Sequence, residues 1–242
     1  MKLPSLLLLA CLAAPAAAQS PPPQPPAHEG TLNVSFINQT GNTDITTIGY
    51  DQTLILRPSW WRWTFTEYSG IIYGKNDGKV LAERYRAGVK ADMAITPMMG
   101  LYASEAFDRN VFSALASRYT TSAGLTALLV DVPADKAKVE LGLARIRERN
   151  TSDVVTRAFA GRVAAEYRHN FSAVTYAGGR LEVLPNLEEG RDLRINGGGE
   201  LVAPISSHIG LKSAYLVQYD RLPAPGKKKT DTTLQTGLQI SF

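Results

Sequence analysis

The last stretch of the chain, residues 232–242, constrains the fold more than any other. Its apolar side chains Leu234, Leu238 and Phe242 alternate with the polar Gln235 and Gln239, and the stretch ends on the aromatic residue. A two-residue period is the pattern of a β-strand whose two faces differ in chemistry. A barrel in a membrane needs a final strand that closes its sheet and an aromatic side chain at the bilayer boundary. This stretch therefore predicts a membrane-spanning β-barrel.

Residues 1–18 have the composition of a secretory signal peptide. Lys2 supplies the positive charge, residues 6–14 form an apolar segment, and three alanines ending at Ala18 precede the expected cleavage before Gln19. The apolar segment is shorter than the roughly 20 residues that a transmembrane helix needs. The single cysteine, Cys11, lies inside this peptide, so the mature chain is expected to contain no disulfide. A lipoprotein cleavage site at Cys11 is an alternative, but the apolar segment before it would be unusually short.

The rest of the chain divides into a linker and one large domain. Residues 19–30 are rich in proline, which predicts an extended periplasmic linker. Residues 31–242 contain no apolar run long enough for a membrane helix, and a membrane protein without such helices has to be a closed barrel. The formal net charge is +4, with 26 basic residues scattered among 22 acidic ones, unlike the clustered charge of a nucleic-acid-binding protein.

The large domain contains about 12 segments with strand character, separated by turn signals. Short turns recur at the spacing of one two-stranded unit, and they should all face the periplasm. They are marked by Pro58, Pro97, Pro133, Asn170 and Pro204. The polar connections between them should face outward, with a longer loop around residues 107–116. The pattern predicts an all-β fold: an antiparallel transmembrane β-barrel of about 12 strands.

Charged side chains indicate which face of each strand points into the barrel. Val89 and its same-face neighbours are apolar, whereas Lys90 lies on a charged face, with Glu83 near the outer end as the exception. Turning this strand over would place cations in lipid, at a cost of roughly 2 to 4 kcal/mol each at the midplane. Arg157 breaks the pattern of a later strand near the outer interface, where the cost is small. The residues predicted to line the lumen are Arg84, Arg86, Lys90, Asp92, Arg162, Glu166, Arg168, Arg194, Glu200 and Lys212.

A soluble β-barrel or sandwich is the alternative fold, because its apolar face would pack a core and alternation alone does not separate the two. Three features favour the membrane: the aromatic end of the chain, strands longer than the usual length of about 5 to 6 residues, and aromatic side chains near the predicted periplasmic turns. Those side chains are Trp60, Trp61, Trp63, Tyr167, Phe171 and Phe242.

The final strand also resembles the C-terminal signal that the outer-membrane barrel assembly machinery reads. The matching positions are Gln235, Gly237, Ile240 and Phe242. The resemblance implies that this machinery is a partner during biogenesis and that the protein is localised in the outer membrane of a Gram-negative bacterium. That location would bring the barrel into contact with outer-membrane lipid and lipopolysaccharide.

Several turns and strand ends resemble the YdiY-like family of salt-induced outer-membrane proteins, over roughly residues 36–242. The matching stretches are residues 41–44, 73–78, 83–85, 90–92, 96–97, 107–110 with Phe112, and Arg145 with residues 147–148. They resemble turn and lumen signatures and contain no catalytic motif. The resemblance implies an outer-membrane barrel without a defined biochemical role.

Candidate catalytic residues are sparse. His169 lies at a predicted periplasmic turn near Ser172 and Glu166, and His208 follows Ser206 at another. A Ser-His-acid site needs its three groups within hydrogen-bond reach, and lipid-modifying barrels carry theirs near the outer leaflet. An outer-membrane hydrolase is therefore the disfavoured alternative. With three histidines and dispersed carboxylates, the sequence predicts no metal site and no cofactor.

Two functional hypotheses follow from the barrel. The first is a structural or stress-response barrel with a blocked lumen, and the second is a narrow diffusion pore whose arginines favour small anions. Barrels of 8 strands are filled by side chains and those of 16 to 18 hold open channels, so about 12 strands lies between these limits. The lumenal charges have both signs and no loop is long enough to shape a selective constriction, which favours the blocked lumen.

Overall fold

The computed structural model describes residues 26–41, 45–59, 62–76, 79–172 and 175–242. The predicted signal peptide, its cleavage site and most of the linker lie outside these residues, as do Trp60 and Trp61. Twelve β-strands follow one another along the described chain. They are β1 (His28–Thr40), β2 (Ile45–Leu56), β3 (Trp63–Asn76), β4 (Lys79–Ala94), β5 (Met99–Asn110), β6 (Leu115–Asp131), β7 (Asp135–Asn150), β8 (Val155–Asn170), β9 (Tyr176–Pro185), β10 (Leu193–Pro204), β11 (Ile209–Asp220) and β12 (Thr230–Ser241).

The strands form a closed barrel. Each pairs antiparallel with its sequence neighbours, and β12 pairs with β1 to complete the ring. Beside this seam the amide of Gly30 donates to the carbonyl of Phe242 at 2.7 Å, and the amide of Phe242 donates back at 3.0 Å. Because every strand has two partners, the sheet has no open edge, as a β-structure in lipid requires. The prediction of an all-β, antiparallel barrel of about 12 strands is confirmed.

The two rims of the barrel differ in their connections. At the first, which we call the turn rim, β1 begins, β12 ends, and short turns follow Ala94, Asp131 and Pro204. At the opposite loop rim the connections include residues 186–192 and 221–229. The predicted turns at Pro97, Pro133 and Pro204 therefore share one rim, as expected from their spacing.

The prediction of a longer loop around residues 107–116 was wrong. β5 continues to Asn110, and only a short 3₁₀ turn, Val111–Ser113, separates it from β6. The strand continues because Phe107 pairs with Tyr119 and their rings pack 5.3 Å apart. The polar residues that suggested a loop are simply the loop-rim end of a strand.

The start of the barrel also differs from the prediction. β1 begins at His28, inside the segment assigned to the linker, and His28 pairs with Leu56 of β2. Residues 28–30 contain no proline, so their backbone amides are able to join the sheet. The proline-rich composition identifies the linker, but it does not identify the residue at which the linker ends and β1 begins.

The outward face of the wall is apolar over most of its height. Val89 of β4 is 56% exposed and Leu211 of β11 is 46% exposed, as expected for side chains that point away from the barrel axis. Glu83, the exception on β4, also points outward and pairs with Arg109 of β5 at 2.9 Å. The pair lies near the loop rim, where the two charges compensate each other.

The four residues of the predicted assembly signal lie on both faces of the barrel at its closing strand. Gln235 is buried on the inner face, whereas Ile240 and Phe242 are exposed on the outer one. A Cβ atom at Gly237 would lie 2.1 Å from the carbonyl oxygen of Val34, so only glycine lets β1 and β12 approach this closely. Recognition by the assembly machinery remains a prediction.

Aromatic side chains gather near the turn rim. Trp63 stacks on Phe65 with ring centroids 5.9 Å apart, and His169 meets the edge of Phe171 at 4.6 Å. Phe171 and Phe242 are both largely exposed. These described members of the predicted aromatic girdle occupy the position that such rings take at a membrane–water interface.

Candidate functional site

The centre of the lumen is crossed by an ion-pair network built on Glu140 of β7, whose side chain is 3% exposed. One carboxylate oxygen accepts a hydrogen bond from Nζ of Lys90 on β4, and the other accepts one from Arg162 of β8 at 2.7 Å. Lys138 lies 3.2 Å from the same carboxylate. Because β5 and β6 separate β4 from β7 in the wall, the contact between Lys90 and Glu140 passes through the interior.

Tyr102 of β5 fills the space beside this network. Its side chain is buried, with Nζ of Lys90 5.3 Å and the guanidinium of Arg162 4.9 Å from the ring centroid. Cations over an aromatic face are attracted by the ring quadrupole, more so when water is excluded. Arg162 also donates to Glu182 of β9 at 2.6 Å, and Asn196 of β10 reaches the same carboxylate at 2.9 Å. The network therefore links six strands: β4, β5, β7, β8, β9 and β10.

A second polar cluster lies on the opposite wall. Asp51 of β2 accepts from Arg86 of β4 at 2.5 Å and from Gln235 of β12 at 3.1 Å. The apolar side chains of Ile37 and Ile72 are buried nearby. A cavity of about 10 Å³ beside Asp51 is also lined by Ile72, and it has room for about one water molecule.

Four charged side chains lie together in the lumen towards the loop rim. Glu148 of β7 lies 2.8 Å from Arg118 of β6 and 3.1 Å from Arg194 of β10. Asp220 of β11 lies 3.4 Å from Arg194 and 3.9 Å from Arg118. Two of these contacts join neighbouring strands of the wall, whereas Glu148–Arg194 and Arg118–Asp220 cross the interior between strands that are not neighbours.

The 3₁₀ turn between β5 and β6 spans the mouth at the loop rim. The hydroxyl of Ser113 hydrogen-bonds the carboxylate of Asp231 on β12 at 2.9 Å. Nζ of Lys227, in the connection before β12, donates to the carbonyl of Phe112 at 2.5 Å. Since β6 and β12 lie on opposite sides of the ring, these contacts join opposite sides of the mouth.

The lumen near the turn rim contains a looser set of contacts. Arg168 of β8 stacks over the ring of Tyr176 of β9 at 3.6 Å, and Tyr176 Oη lies 3.5 Å from Gln239 of β12. Lys212 of β11 pairs with Glu200 of β10 at 2.7 Å. These contacts add a further polar layer below the central network.

The structure brings most of the residues that were expected to line the lumen into four groups. Arg86 and Arg84 border the Asp51 cavity, and Lys90, Asp92 and Arg162 belong to the central network. Arg194 is in the loop-rim group, while Arg168, Glu200 and Lys212 lie towards the turn rim. Glu166 meets Lys138 at 3.2 Å and keeps more than half of its side chain exposed.

Several residues that organise the interior were missed by the sequence analysis. They are Asp51, Tyr102, Arg118, Glu140, Glu148 and Glu182. A signal for Glu140 was present, because the exposed Leu141 and Leu143 set the phase of β7 and leave the even-numbered positions inside. The contribution of Tyr102 carried no such signal, since tyrosines also lie on the outer face.

Two arginines of the stretches that resemble the family lie outside the lumen. Arg145 and Arg147 are both exposed on the outer face of β7. They alternate with the buried Ile146, which points inward. The two-residue period of the strand therefore assigns the arginines to the outside of the barrel.

The residues considered for a hydrolase lie in separate turns. Asp135 accepts from Tyr167 at 2.6 Å and lies 2.8 Å from Nδ1 of His169. Ser207 lies 2.8 Å from Nδ1 of the adjacent His208, and no carboxylate of the described residues forms an ion pair with that histidine. Asp135 and His169 therefore pair between the ends of β7 and β8, and Ser207 and His208 lie together in the turn after β10.

In the described part of the chain, no group of three or more histidine, cysteine, aspartate or glutamate side chains is arranged to hold a metal ion. Among the same residues, no helix is both long enough and apolar enough to span a membrane.

Comparison with known proteins identifies the family. The model of the family described as "Protein of unknown function, DUF481" matches residues 32–242, and the chain belongs to this family. The match confirms the predicted resemblance, because the YdiY-like outer-membrane proteins are a group within DUF481. No curated protein matches the chain.

The chain is similar to several solved structures of barrel proteins. The NanC porin has a TM-score of 0.56 and 11% identity, over 86% of this chain and 98% of that one. The KdgM porin, in complex with disordered oligogalacturonate, has a TM-score of 0.49 and 11% identity, over 88% and 99% of the two chains. The translocator domain of the autotransporter NalP from Neisseria meningitidis has a TM-score of 0.49 and 12% identity, over 90% of each chain. At these identities the NanC likeness describes the barrel fold alone.

Proposed function

We propose that this protein is a structural, non-catalytic barrel of the outer membrane whose lumen is closed to solutes. The single observation that carries the proposal is the contact between Lys90 and Glu140, which joins non-neighbouring strands through the middle of the barrel. A side-chain bridge at that position occupies the path that a solute would take. The porin-like fold supports the membrane location, and the contacts at the other levels support closure.

Closure is repeated along the barrel axis. The Arg118–Asp220 pair crosses the lumen towards the loop rim, and Ser113 bonds Asp231 across the mouth. Several separate contacts would have to break before a continuous water path formed. Opening would also break ion pairs whose attraction is strongest where water is excluded.

Charge pairing bears on the alternative of an anion-selective pore. The positive field expected from Arg162 and Arg194 is compensated by carboxylates. Glu140 and Glu182 lie within ion-pair distance of Arg162. Glu148 and Asp220 lie within ion-pair distance of Arg194. An arginine that already holds a carboxylate attracts a passing anion less than a free one does. The interior therefore supports a filled barrel better than a selective channel.

A role in the response to salt stress is part of the proposal, and it is supported by the resemblance to the YdiY-like proteins. A filled barrel adds protein to the membrane without adding a path for ions. Buried ion pairs are also screened much less by salt than exposed ones. The Glu140 network is therefore suited to stay closed when the external salt concentration rises.

The biogenesis part of the proposal follows the sequence. Residues 1–18 would direct export, residues 19–30 would act as a periplasmic linker, and the assembly machinery would read the signal that ends at Phe242. The turn rim would face the periplasm and the loop rim the outside, as is usual for outer-membrane barrels.

The experiment is swelling of liposomes that contain the purified barrel, whose folding is verified by its heat-modifiable mobility. Salts and sugars of graded size are the solutes, and an open porin is the positive control. The proposal expects swelling no faster than that of empty liposomes. Size-dependent swelling above that level would establish a diffusion pore instead.

A further inference from the structure

The outer face of β7 and β8 changes from apolar to cationic over two residues. Leu141 and Leu143 of β7 are more than half exposed and apolar, and the next outward side chains towards the loop rim are Arg145, Arg147 and Arg149. On β8 the exposed Phe159 is followed in the same direction by Arg157. We call Arg145, Arg147 and Arg157 the outer arginine patch.

The patch lacks internal charge compensation within the described part of the chain. Arg147 and Arg157 are direct partners in the β7–β8 pair, and like charges in that arrangement repel. None of the three patch arginines has a carboxylate within ion-pair distance among those residues, whereas the neighbouring Arg149 has Asp153 at 3.5 Å. Glu188, in the connection after β9, instead accepts a hydrogen bond from the amide of Phe159. The patch therefore offers guanidinium groups to an external anion.

The height of the patch matches that of lipid headgroups. Strand residues rise about 3.3 Å each and tilt about 40° in such barrels, so each adds about 2.5 Å along the axis. Arg145 lies ten positions from Asp135, the turn-rim end of β7, and thus about 25 Å above it. The apolar band of outer-membrane barrels is also about 25 Å tall. The patch begins where the apolar band ends.

We infer that the outer arginine patch binds the phosphates of a bisphosphorylated glycolipid, the lipid A class of headgroup, in the outer leaflet. Guanidinium groups bind phosphate oxygens in a bidentate manner, and adjacent arginines match an anion that carries more than one phosphate. Leu141, Leu143 and Phe159 lie directly below and present an apolar surface to acyl chains. A free phosphate ion would make no use of that surface. The assignment of the leaflet rests on the proposed membrane location.

The proposal predicts a charge-specific loss of lipid binding. Each cation near an anionic lipid surface contributes about fivefold to affinity, so replacing three should weaken binding by about 100-fold. The test variant combines Arg145→Gln, Arg147→Gln and Arg157→Gln. The matched control, Arg191→Gln with Lys228→Gln and Lys229→Gln, removes the same charge from loop-rim connections outside the strands. Its binding should stay within about twofold of wild type.

Native mass spectrometry of the purified, folded barrel measures binding of three probes: bisphosphorylated lipid A, its fully dephosphorylated form and phosphatidylglycerol. We expect wild type and control to retain only the first. Equal binding of the dephosphorylated form, equal binding of phosphatidylglycerol, an unaffected triple variant or an equally weakened control would each overturn the proposal. Should the triple variant fail to fold, Arg147→Gln alone is expected to lose about fivefold. Liposome swelling tests the lumen separately, so failure of one proposal is distinguishable from failure of the other.

Discussion

The same strand carries arginines in two opposite situations. On the inner face of β8, Arg162 is bound by Glu140 at 2.7 Å and Glu182 at 2.6 Å. On its outer face, Arg157 is directly opposite Arg147, and neither has a carboxylate partner among the residues described. The charged groups at the centre of the lumen are paired with one another, whereas these two outer arginines have no carboxylate partner in the described part of the chain. Net charge alone does not reveal this division.

The largest effect is expected from removing the inner partner. In Glu140→Gln, Lys90, Arg162 and Lys138 lose the carboxylate that they share, and breaking a buried ion pair in this way costs about 3 to 5 kcal/mol. Urea unfolding of the barrel in liposomes measures the change in the free energy of unfolding. The matched control is Glu166→Gln, whose side chain is more than half exposed and contacts only Lys138 among the ion pairs; it should cost less than about 1 kcal/mol. Equal losses in the two variants would contradict the distinction between a central and a peripheral carboxylate.

The second prediction concerns a charge added to the outer face of the barrel wall and a charge removed from its inner face. Val89→Arg or Leu211→Arg would put a cation into lipid at a cost of about 2 to 4 kcal/mol and should prevent insertion, because these side chains are exposed on the outer wall. Lys90→Ala removes a charge from the inner face and should still insert. The amount of each variant in the membrane fraction, measured after cell fractionation, shows which of the three inserts. Similar yields for all three would contradict the face assignment.

The wall of the barrel was predictable from the sequence because its information is local. A two-residue period and recurrent turns define the strands, and a single phase error would place several charges in lipid. The interior network was less accessible, since Lys90 and Glu140 meet only when strands separated by two others face each other. Alternation showed that Lys90 points inward, but it did not identify the partner. The position of Tyr102 between two cations depends on the closed ring as a whole.

The end of β5 at the loop rim was also not predictable from the sequence. A polar stretch around Phe107 was predicted to be a loop, but it belongs to β5. The ring of Phe107 packs on the ring of Tyr119. Polar composition is typical of loops, and it is also typical of strand ends that rise above the apolar band. Arg145 and Arg147 were given no face from the sequence, and the two-residue period of β7 assigns both to the outside of the barrel.

The smallest predicted effect concerns the unpaired outer charge. Arg157→Gln relieves the repulsion with Arg147 and should raise the free energy of unfolding by up to about 0.5 kcal/mol in liposomes of zwitterionic lipid. Addition of the bisphosphorylated glycolipid should stabilise wild type more than the variant. Destabilisation by the substitution in zwitterionic lipid would indicate that Arg157 already has a favourable partner in the protein.

Electrical conductance across a planar bilayer measures whether the lumen is closed to ions. Folded wild-type protein is inserted, its incorporation is verified by recovery from the bilayer, and current is recorded at several salt concentrations. The account predicts a current indistinguishable from that of the bare bilayer, because the Glu140 network and the loop-rim contacts cross the whole lumen. Stable stepwise currents that scale with salt would show that ions pass through the barrel, and would contradict it.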